Sequence, residues 1–263
     1  MTAVLETRAL SVSYGGVRAL ADVDVEVGEG QLVGLIGPNG AGKTTWIDAV
    51  CGFVPATGET RLDGRTISGM PPTARARTGL GRTWQAAELF DDLTVRENLS
   101  VAADRRPMWR LVGEALTGRE SDPPNVESTL ELLGIGELAD VAADELTQGQ
   151  RKLVGVARAL APGPRVVCLD EPAAGLDSAE SRALGQRLRQ VVDSGVAMLL
   201  VDHDMGLVLG VCDRVVVLEF GRVIAAGPPE VVRRDPKVTE AYLGRAAQES
   251  QAILDASAIG TGT

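Results

Sequence analysis

The chain has 263 residues, of which 44% are hydrophobic and 24% are charged. This balance excludes a disordered chain and predicts a globular protein whose core is mainly aliphatic, because only 3% of the residues are aromatic. The formal net charge of −10 disfavours nucleic acid as a partner.

The cysteines, the histidine and the lengths of the apolar segments exclude further classes of protein. Cys51, Cys168 and Cys212 are isolated, so neither a zinc ribbon nor a disulfide framework is indicated, and a reduced, cytosolic setting is expected. His203 is the single histidine, which excludes a histidine-rich metal site. Residues 1–10 have no basic segment followed by an apolar one, so no secretory signal is expected, and no apolar run reaches the roughly 18 residues that span a bilayer.

Short strands dominate the first third of the predicted secondary structure. Residues 3–36 alternate and turn like a meander of short strands, the last of which is the buried strand Leu32–Ile36. A helix over 42–50 follows and stops at Gly52. Residues 53–84 return to strands and turns around Pro71-Pro72.

A helical insert follows. Thr94 and Glu97 form a capping box, 104–125 is a loop with one short helix, and helices cover 127–133 and 149–161.

Strands and helices then alternate. The strands are 166–169, 196–201, 214–218 and 222–226, and Ser178 caps a helix that ends at Gly195. Helices begin at Pro229 and cover 235–243, whereas 245–263 has no strong period and is expected to be loosely ordered. Such alternation predicts a parallel sheet that is covered on both faces.

The most specific motif is a glycine-rich phosphate loop. It comprises Gly37, Pro38, Asn39, Gly40, Ala41, Gly42, Lys43, Thr44 and Thr45. The motif fits G-x-x-x-x-G-K-[ST] between a buried strand and a helix, so its backbone N–H groups would converge on phosphate oxygens. Lys43 would reach the β- and γ-phosphates, and Thr44 would ligate Mg²⁺. The alternative, a glycine-rich turn with an exposed lysine, does not explain this context.

Two carboxylates end a later buried strand. Asp170 suits a Mg²⁺ ligand acting through water, and Glu171 suits a general base that polarises the attacking water. Alone, such a pair is common at helix caps. Together with the phosphate loop it predicts a nucleotide hydrolase.

A third motif narrows the class. Leu146 is followed by Thr147, Gln148, Gly149 and Gln150, directly before a helix. With this motif the chain resembles the ATP-binding cassette (ABC) ATPases over residues 3–244, whose signature is close to LSGGQ. Gln148 departs from the family pattern, which has glycine there. Without the other motifs, an ordinary capped helix start would explain this segment equally well.

The resemblance implies roles for four single residues. Tyr14 would stack on adenine, Gln85 would sense Mg²⁺ and water and face the membrane partner, and Asp177 would cross to the opposite subunit. His203 would contact the γ-phosphate. Their alternatives are a packing residue, a surface glutamine, a helix cap and a surface or core histidine.

The implied fold is α/β: a P-loop NTPase core with a mixed, mainly parallel sheet, an N-terminal antiparallel β subdomain and an inserted α-helical subdomain. The resemblance implies one domain over 1–244, with the insert at about 86–160, and a tail at 245–263.

Residues 81–99, 170–176, 203–214 and 241–244 resemble most the ATPase subunits of branched-chain amino acid importers and of their urea and amide relatives. Lipopolysaccharide-export ATPases share much of this pattern. Soluble cassette ATPases remain an alternative, although they usually carry two cassettes, coiled-coil arms or zinc modules. A small-molecule kinase would not explain the signature.

The implied mechanism is a head-to-tail pair of cassettes that sandwiches two ATP molecules with Mg²⁺. The second ATPase subunit would be a copy of this chain or a paralogue. The expected partners are transmembrane permease subunits and an extracytoplasmic solute-binding protein, with no nucleic acid. The expected location is the cytoplasmic face of the membrane, as a peripheral subunit.

Overall fold

The computed structural model describes residues 2–83, 89–104 and 125–242. The strands are β1 (Ala3–Tyr14), β2 (Val17–Gly28), β3 (Leu32–Ile36), β4 (Thr57–Leu62), β5 (Arg65–Thr66), β6 (Leu80–Arg82), β7 (Val166–Asp170), β8 (Ala197–Val201), β9 (Arg214–Glu219) and β10 (Arg222–Gly227). The α-helices are α1 (Lys43–Cys51), α2 (Pro72–Arg77), α3 (Val95–Ala103), α4 (Val126–Leu133), α5 (Gln148–Leu160), α6 (Ser178–Asp193), α7 (Met205–Val211) and α8 (Pro229–Val232). Residues 236–242 are also helical.

The strands form two sheets. A six-stranded sheet has the order β10-β9-β3-β8-β7-β6, and all its pairings are parallel except that of β10 with β9. A four-stranded antiparallel sheet has the order β2-β1-β4-β5. The predicted mixed, mainly parallel sheet and the predicted N-terminal antiparallel part are both confirmed.

The parallel sheet is buried on both faces, as its continuous apolar strands require. Because side chains alternate along a strand, Val33 and Leu35 join one cluster with Trp46 of α1 and the antiparallel sheet. Leu32 and Ile36 join the other cluster, which the helices after β6 cover. The sheet therefore holds its carboxyl edge rigidly between two cores.

Within residues 89–104 and 125–160, the described part of the predicted insert, the α-helices are α3, α4 and α5. Helices α3, α4 and α5 bury apolar faces in one cluster, and backbone bonds join the start of α3 to 139–141. Short 3₁₀ turns lie at Gly136–Leu138 and Ala143–Glu145. Across the described ranges, none of the helices combines the length and apolar character needed to cross a membrane. The subdomain limits at 86 and 160 and the domain end at 244 stay predictions.

Several local predictions were wrong. Asp177, not Ser178, is the N-cap of α6, because the Asp177 carboxylate accepts hydrogen bonds from the amides of Ala179 and Glu180. Residues 72–77 form a helix, since proline at a first helical turn needs no N–H partner. The N-terminal meander is one long hairpin, and helix α7 lies where the sequence indicated no element. Most of the predicted loop at 104–125 and the whole tail at 245–263 lie outside the described residues.

Candidate functional site

The phosphate loop links the end of β3 to the start of α1. Gly37 and Gly42 adopt positive φ angles of 150° and 106°, where a side chain would be strained. A Cβ at Gly37 would lie 2.1 Å from the Leu218 carbonyl oxygen, and a Cβ at Gly42 2.7 Å from Leu20 Cδ2. Both positions therefore require glycine. Gly42 is the N-cap of α1 and, as a glycine, offers no side-chain cap to this helix start.

Lys43 folds back over this loop. Its Nζ donates hydrogen bonds to the carbonyl oxygens of Gly37 at 2.7 Å and Pro38 at 3.2 Å, and the residue is 7% exposed. Thr44 is exposed and Thr45 half-buried, while Asn39 and Gly40 face solvent. The loop thus presents an ammonium group and the positive end of a helix at the carboxyl edge of the sheet.

Asp170 ends strand β7 and is 2% exposed. Its amide donates to Thr83 Oγ1 at 3.1 Å. Burial raises the pKa of the Asp170 carboxyl above its ordinary value, and the Arg82 guanidinium opposes this shift. The buried Oδ1 atom has no hydrogen-bond partner among the described residues. An unpaired buried carboxylate oxygen is costly unless a cation compensates it.

Arg82 is a site residue that sequence reasoning missed. Its guanidinium bonds Asp48 of α1 and lies 3.4 Å from Asp170 Oδ2. It therefore connects the helix that follows the phosphate loop to the strand that carries Asp170. These partners are 34 and 88 positions away along the chain, so no local sequence signal could have revealed the bridge.

Glu171 follows Asp170 in an unusual conformation. Its φ is +50°, in the left-handed region that residues other than glycine rarely adopt, and its amide donates to the Val201 carbonyl at 2.7 Å. Strained backbones of this kind concentrate at functional sites. The bond to β8 fixes where the Glu171 side chain leaves the sheet edge.

His203 lies just beyond strand β8 with an exposed ring. Its Nδ1 atom is 3.7 Å from Oδ1 of Asp202, which is fully buried. The Asp202 carboxylate accepts hydrogen bonds from the amides of Ala173 at 3.0 Å and Asp204 at 2.9 Å. This carboxylate therefore joins the loop after β7 to the loop that carries His203.

The signature residues form a regular helix start. Thr147 and Gln150 make a complete capping box at the N-terminus of α5. The Gln148 side chain covers Gly175, since a Cβ at Gly175 would lie 2.3 Å from Gln148 Nε2. A Cβ at Gly149 would lie 3.1 Å from Glu180 Oε1. Within one chain, then, this segment contacts residues 175–180.

The structure brings together part of the predicted site. The phosphate loop, Asp170, Glu171 and His203 share the carboxyl edge of β3, β7 and β8. Tyr14 ends β1 at a hairpin turn and is 50% exposed, and Asp177 caps α6 within its own chain. Gln85 lies outside the described residues.

Comparison with known proteins decides the family. The family model described as "ABC transporter" matches residues 20–174, more than half of the chain. The chain belongs to the ABC transporter family of ATP-binding cassettes. A second model, described as "Branched-chain amino acid ATP-binding cassette transporter", matches residues 222–248.

Individual relatives agree over nearly the whole length. The high-affinity branched-chain amino acid transport ATP-binding protein BraF of Pseudomonas aeruginosa is 39% identical, covering 92% of this chain and 98% of that protein. LivG of Escherichia coli, which carries the same description, is 36% identical over the same shares. The lipopolysaccharide export system ATP-binding protein LptB of Acidithiobacillus ferridurans is 35% identical, covering 93% and 98%.

Solved cassettes have the same fold. The ADP conformation of MJ1267, an ATP-binding cassette of an ABC transporter, matches with a TM-score of 0.80 at 30% identity, covering 93% of this chain and all of that one. A nucleotide-free cassette matches with a TM-score of 0.79 at 30% identity, covering 91% and 98%. This ABC protein is an ATP-binding, ATP-hydrolysing transporter subunit. Such subunits dimerise and work with permease subunits.

Proposed function

We propose that this chain hydrolyses MgATP to power import of branched-chain amino acids or related small polar solutes through partner permeases. The observation that carries the proposal is the shared carboxyl edge of the sheet. The phosphate loop and Lys43 follow strand β3 at this edge, and Asp170 and Glu171 lie there at the end of strand β7. The substrate class is supported by the names of the relatives and by the matched segment at 222–248.

In this proposal the phosphate loop binds the triphosphate. Lys43 exchanges its bonds to the loop carbonyls for bonds to the β- and γ-phosphates, and backbone N–H groups of residues 37–45 supply the remaining donors. Tyr14 stacks on the adenine. Because stacking tolerates any planar base, base preference is modest.

Thr44, Asp170 and Gln85 would hold Mg²⁺, and the ion would supply positive charge that neutralises the phosphate oxygens. The residues fit this ion, because a cation would compensate the unpaired buried Oδ1 of Asp170 and because Thr44 is an exposed residue in the first turn of α1. Arg82 holds the other Asp170 oxygen and so orients the carboxylate.

Hydrolysis uses Glu171 as the general base. Its carboxylate takes a proton from water while the water oxygen attacks the γ-phosphorus, and the bond to the β–γ bridging oxygen breaks. His203 contacts the γ-phosphate, and Gln85 helps to position the water.

A second cassette subunit, identical or paralogous, completes each site. Thr147, Gln148, Gly149 and Gln150 of one subunit meet the γ-phosphate held by the other, and Asp177 crosses toward the same interface. The γ-phosphate bridges both subunits only when they are closed, so ATP favours the closed pair and hydrolysis releases it.

The remaining partners complete an importer. The Gln85 region and the helical insert pass the movement to permease subunits, with the chain on the cytoplasmic face of the membrane and an extracytoplasmic solute-binding protein delivering the solute. Lipopolysaccharide export is the second candidate, favoured by the 35% identity to LptB. Co-purification decides between them, because an importer yields a solute-binding protein and an exporter does not.

The test is Glu171→Gln, which keeps the size of the side chain but cannot accept the proton. Hydrolysis should slow by about 10² to 10⁴. Binding should survive, so that the variant accumulates as an ATP-bound dimer on size-exclusion chromatography, alone or with the paralogue. Adding Gly149→Asp should abolish this dimer, because its carboxylate would face the γ-phosphate. A Glu171→Gln variant that binds ATP yet never dimerises with either partner would refute the sandwich mechanism.

A further inference from the structure

The β9–β10 hairpin turns through Phe220 and Gly221, which have φ angles of 45° and 74°. Two central residues with positive φ define a type I′ turn, in which asparagine or aspartate normally precedes the glycine. Another turn of this kind makes that normal choice: Asp63 and Gly64 join β4 to β5 with φ angles of 47° and 73°. A phenylalanine in the left-handed region is therefore an exception within this molecule.

Phe220 is also 78% exposed, and no large hydrophobic residue in the described ranges is more exposed. The ring thus combines backbone strain with solvent exposure, and neither stabilises the folded chain. Strain of this kind persists where it serves a function.

The turn lies against the phosphate loop. The Gly221 amide donates to the Ala41 carbonyl at 3.0 Å, and the Gly221 carbonyl accepts from the Ala21 amide at 2.8 Å. A Cβ at Gly42 would lie 3.6 Å from the Gly221 Cα, and a Cβ at Gly221 would lie 2.3 Å from the Ala19 carbonyl oxygen. The tip is therefore fixed between the phosphate loop and β2, with Phe220 at its outer position.

The order of the strands shows on which side of the phosphate loop the β9–β10 turn lies. Strand β9 flanks β3 on one side, whereas β8 and then β7 follow on the other. Since β9 runs parallel to β3, its carboxyl end reaches the same edge as the phosphate loop. If the γ-phosphate points to Asp170 and Glu171 beyond β8, the nucleoside end points to the side of β9.

We infer that Phe220 is a second nucleotide-binding aromatic residue, which contacts the base of the bound nucleotide from the β9–β10 turn. This inference rests on the proposed orientation of ATP. It assigns the base two aromatic contacts from separate elements, Tyr14 from the first hairpin and Phe220 from the last. The Phe220 ring is then covered only when nucleotide is bound. This contact with the base would be the reason that phenylalanine occupies a strained position in the turn.

The test compares ADP with inorganic pyrophosphate, which shares its two phosphates but lacks base and ribose. Calorimetric titration of the full chain with either ligand in the presence of Mg²⁺ avoids turnover. In Phe220→Asn, which suits the turn better, ADP affinity should fall about fivefold or more, the low end for stacking of a base on an aromatic side chain. Pyrophosphate affinity should not change, and Phe220→Tyr should retain ADP affinity.

Val231→Asn is the matched control, because it removes another exposed apolar side chain near Gly227, at the far end of the same hairpin. It should leave both affinities unchanged. Unchanged ADP affinity in Phe220→Asn would overturn the inference. If ATP-dependent dimerisation nevertheless fell in this variant, Phe220 would be a contact of the second subunit and not of the base. An equal loss for pyrophosphate would also overturn it, because the turn would then act through the phosphate loop.

Tyr14→Ala separates this inference from the proposed adenine site. If Tyr14→Ala weakens ADP binding and Phe220→Asn does not, the adenine site stands and the inference fails. If only Phe220→Asn weakens it, the inference stands and the role of Tyr14 is wrong. If the parent binds ADP no better than pyrophosphate, neither ring contacts the base.

Discussion

Two helix starts in the insert have nearly the same geometry and differ in charge. At α3 the Thr94 amide donates to Glu97 Oε2 at 2.8 Å, and at α5 the Thr147 amide donates to Gln150 Oε1 at 2.9 Å. Each threonine hydroxyl accepts the return bond from the amide three residues later. The first turn of α3 carries a carboxylate, whereas that of α5 carries none.

The difference follows the proposed function of each helix. A carboxylate compensates the positive end of the helix dipole and so stabilises a helix start that meets no other anion. A helix that must face phosphate leaves this end uncompensated. Helix α1 also has no acidic residue in its first turn, whereas α6 carries Glu180 there. The neutral Gln150 thus keeps the cap and leaves room for an anion.

The largest expected effect comes from the start of α1, which is proposed to bind the phosphates of a nucleotide held by the same chain. Lys43→Ala removes the ammonium group, so nucleotide affinity should fall on the order of 100-fold or more, because charge-assisted hydrogen bonds are lost. Calorimetric titration with ADP measures this change. Lys237→Ala, at an exposed lysine on the last described helix, is the control and should have no effect. Unchanged affinity in Lys43→Ala would refute the phosphate-loop assignment.

The second prediction exchanges the charges of the two capping boxes. Gln150→Glu keeps the acceptor oxygen but adds a negative charge where α5 would meet the γ-phosphate of the partner's ATP. In the Glu171→Gln background, ATP-dependent dimerisation should weaken about tenfold or more, measured by size-exclusion chromatography over a concentration series. Glu97→Gln is the reciprocal control and should leave dimerisation unchanged. Equal dimerisation in both variants would mean that the absence of charge in the Thr147–Gln150 capping box does not contribute to binding the γ-phosphate of the partner's ATP.

The third prediction concerns the Gln148 side chain, which distinguishes the α5 start from that of α3. Gly175→Ala should lower the free energy of unfolding by about 1–3 kcal/mol, because its Cβ would meet Gln148 Nε2 and its φ is positive. Adding Gln148→Gly should recover the part of this loss in unfolding free energy that comes from the contact between the new Cβ and Gln148. Gly195→Ala, at φ +104° with no atom near its Cβ, measures strain alone. Strict additivity of Gly175→Ala and Gln148→Gly in thermal unfolding would contradict the contact.

Much of this architecture was predictable because its signals are local. The buried strand, glycine loop and helix at 32–51 follow one another in sequence, and both capping boxes pair residues three positions apart. The cap of α6 was misassigned because Asp177 and Ser178 are both good caps and are adjacent. Which of the two residues is the N-cap depends on backbone angles that the amino-acid composition does not reveal.

Other features depend on residues that only the fold brings together. The Arg82 bridge joins three elements that are distant along the chain, and the Gln148 contact with Gly175 needs α5 to pack beside the loop after β7. Phe220 did leave a sequence signal, a Phe-Gly pair at a two-residue turn where Asn-Gly or Asp-Gly is usual. Its meaning required the neighbouring phosphate loop.

The smallest expected effect is a pH dependence confined to one capping box. The backbone amide of Thr94 holds the pKa of Glu97 below its ordinary value, so the ionised carboxylate stabilises the fold at neutral pH. This contribution is present above the unfolded-state pKa and is lost as pH falls through the folded-state pKa. Thermal unfolding of Glu97→Gln should therefore differ from the parent at neutral pH and converge with it at about pH 3. Conversely, a difference that persists in acid would show that size or packing is responsible.

The left-handed backbone of Glu171 has a consequence for protein engineering. Glycine adopts that conformation without the steric cost of a side chain, so Glu171→Gly should raise the melting temperature while it removes the proposed general base. Directed evolution that selects only for heat resistance or expression yield would therefore enrich a cassette that lacks the proposed general base. Libraries of this protein need a selection for turnover alongside the selection for robustness.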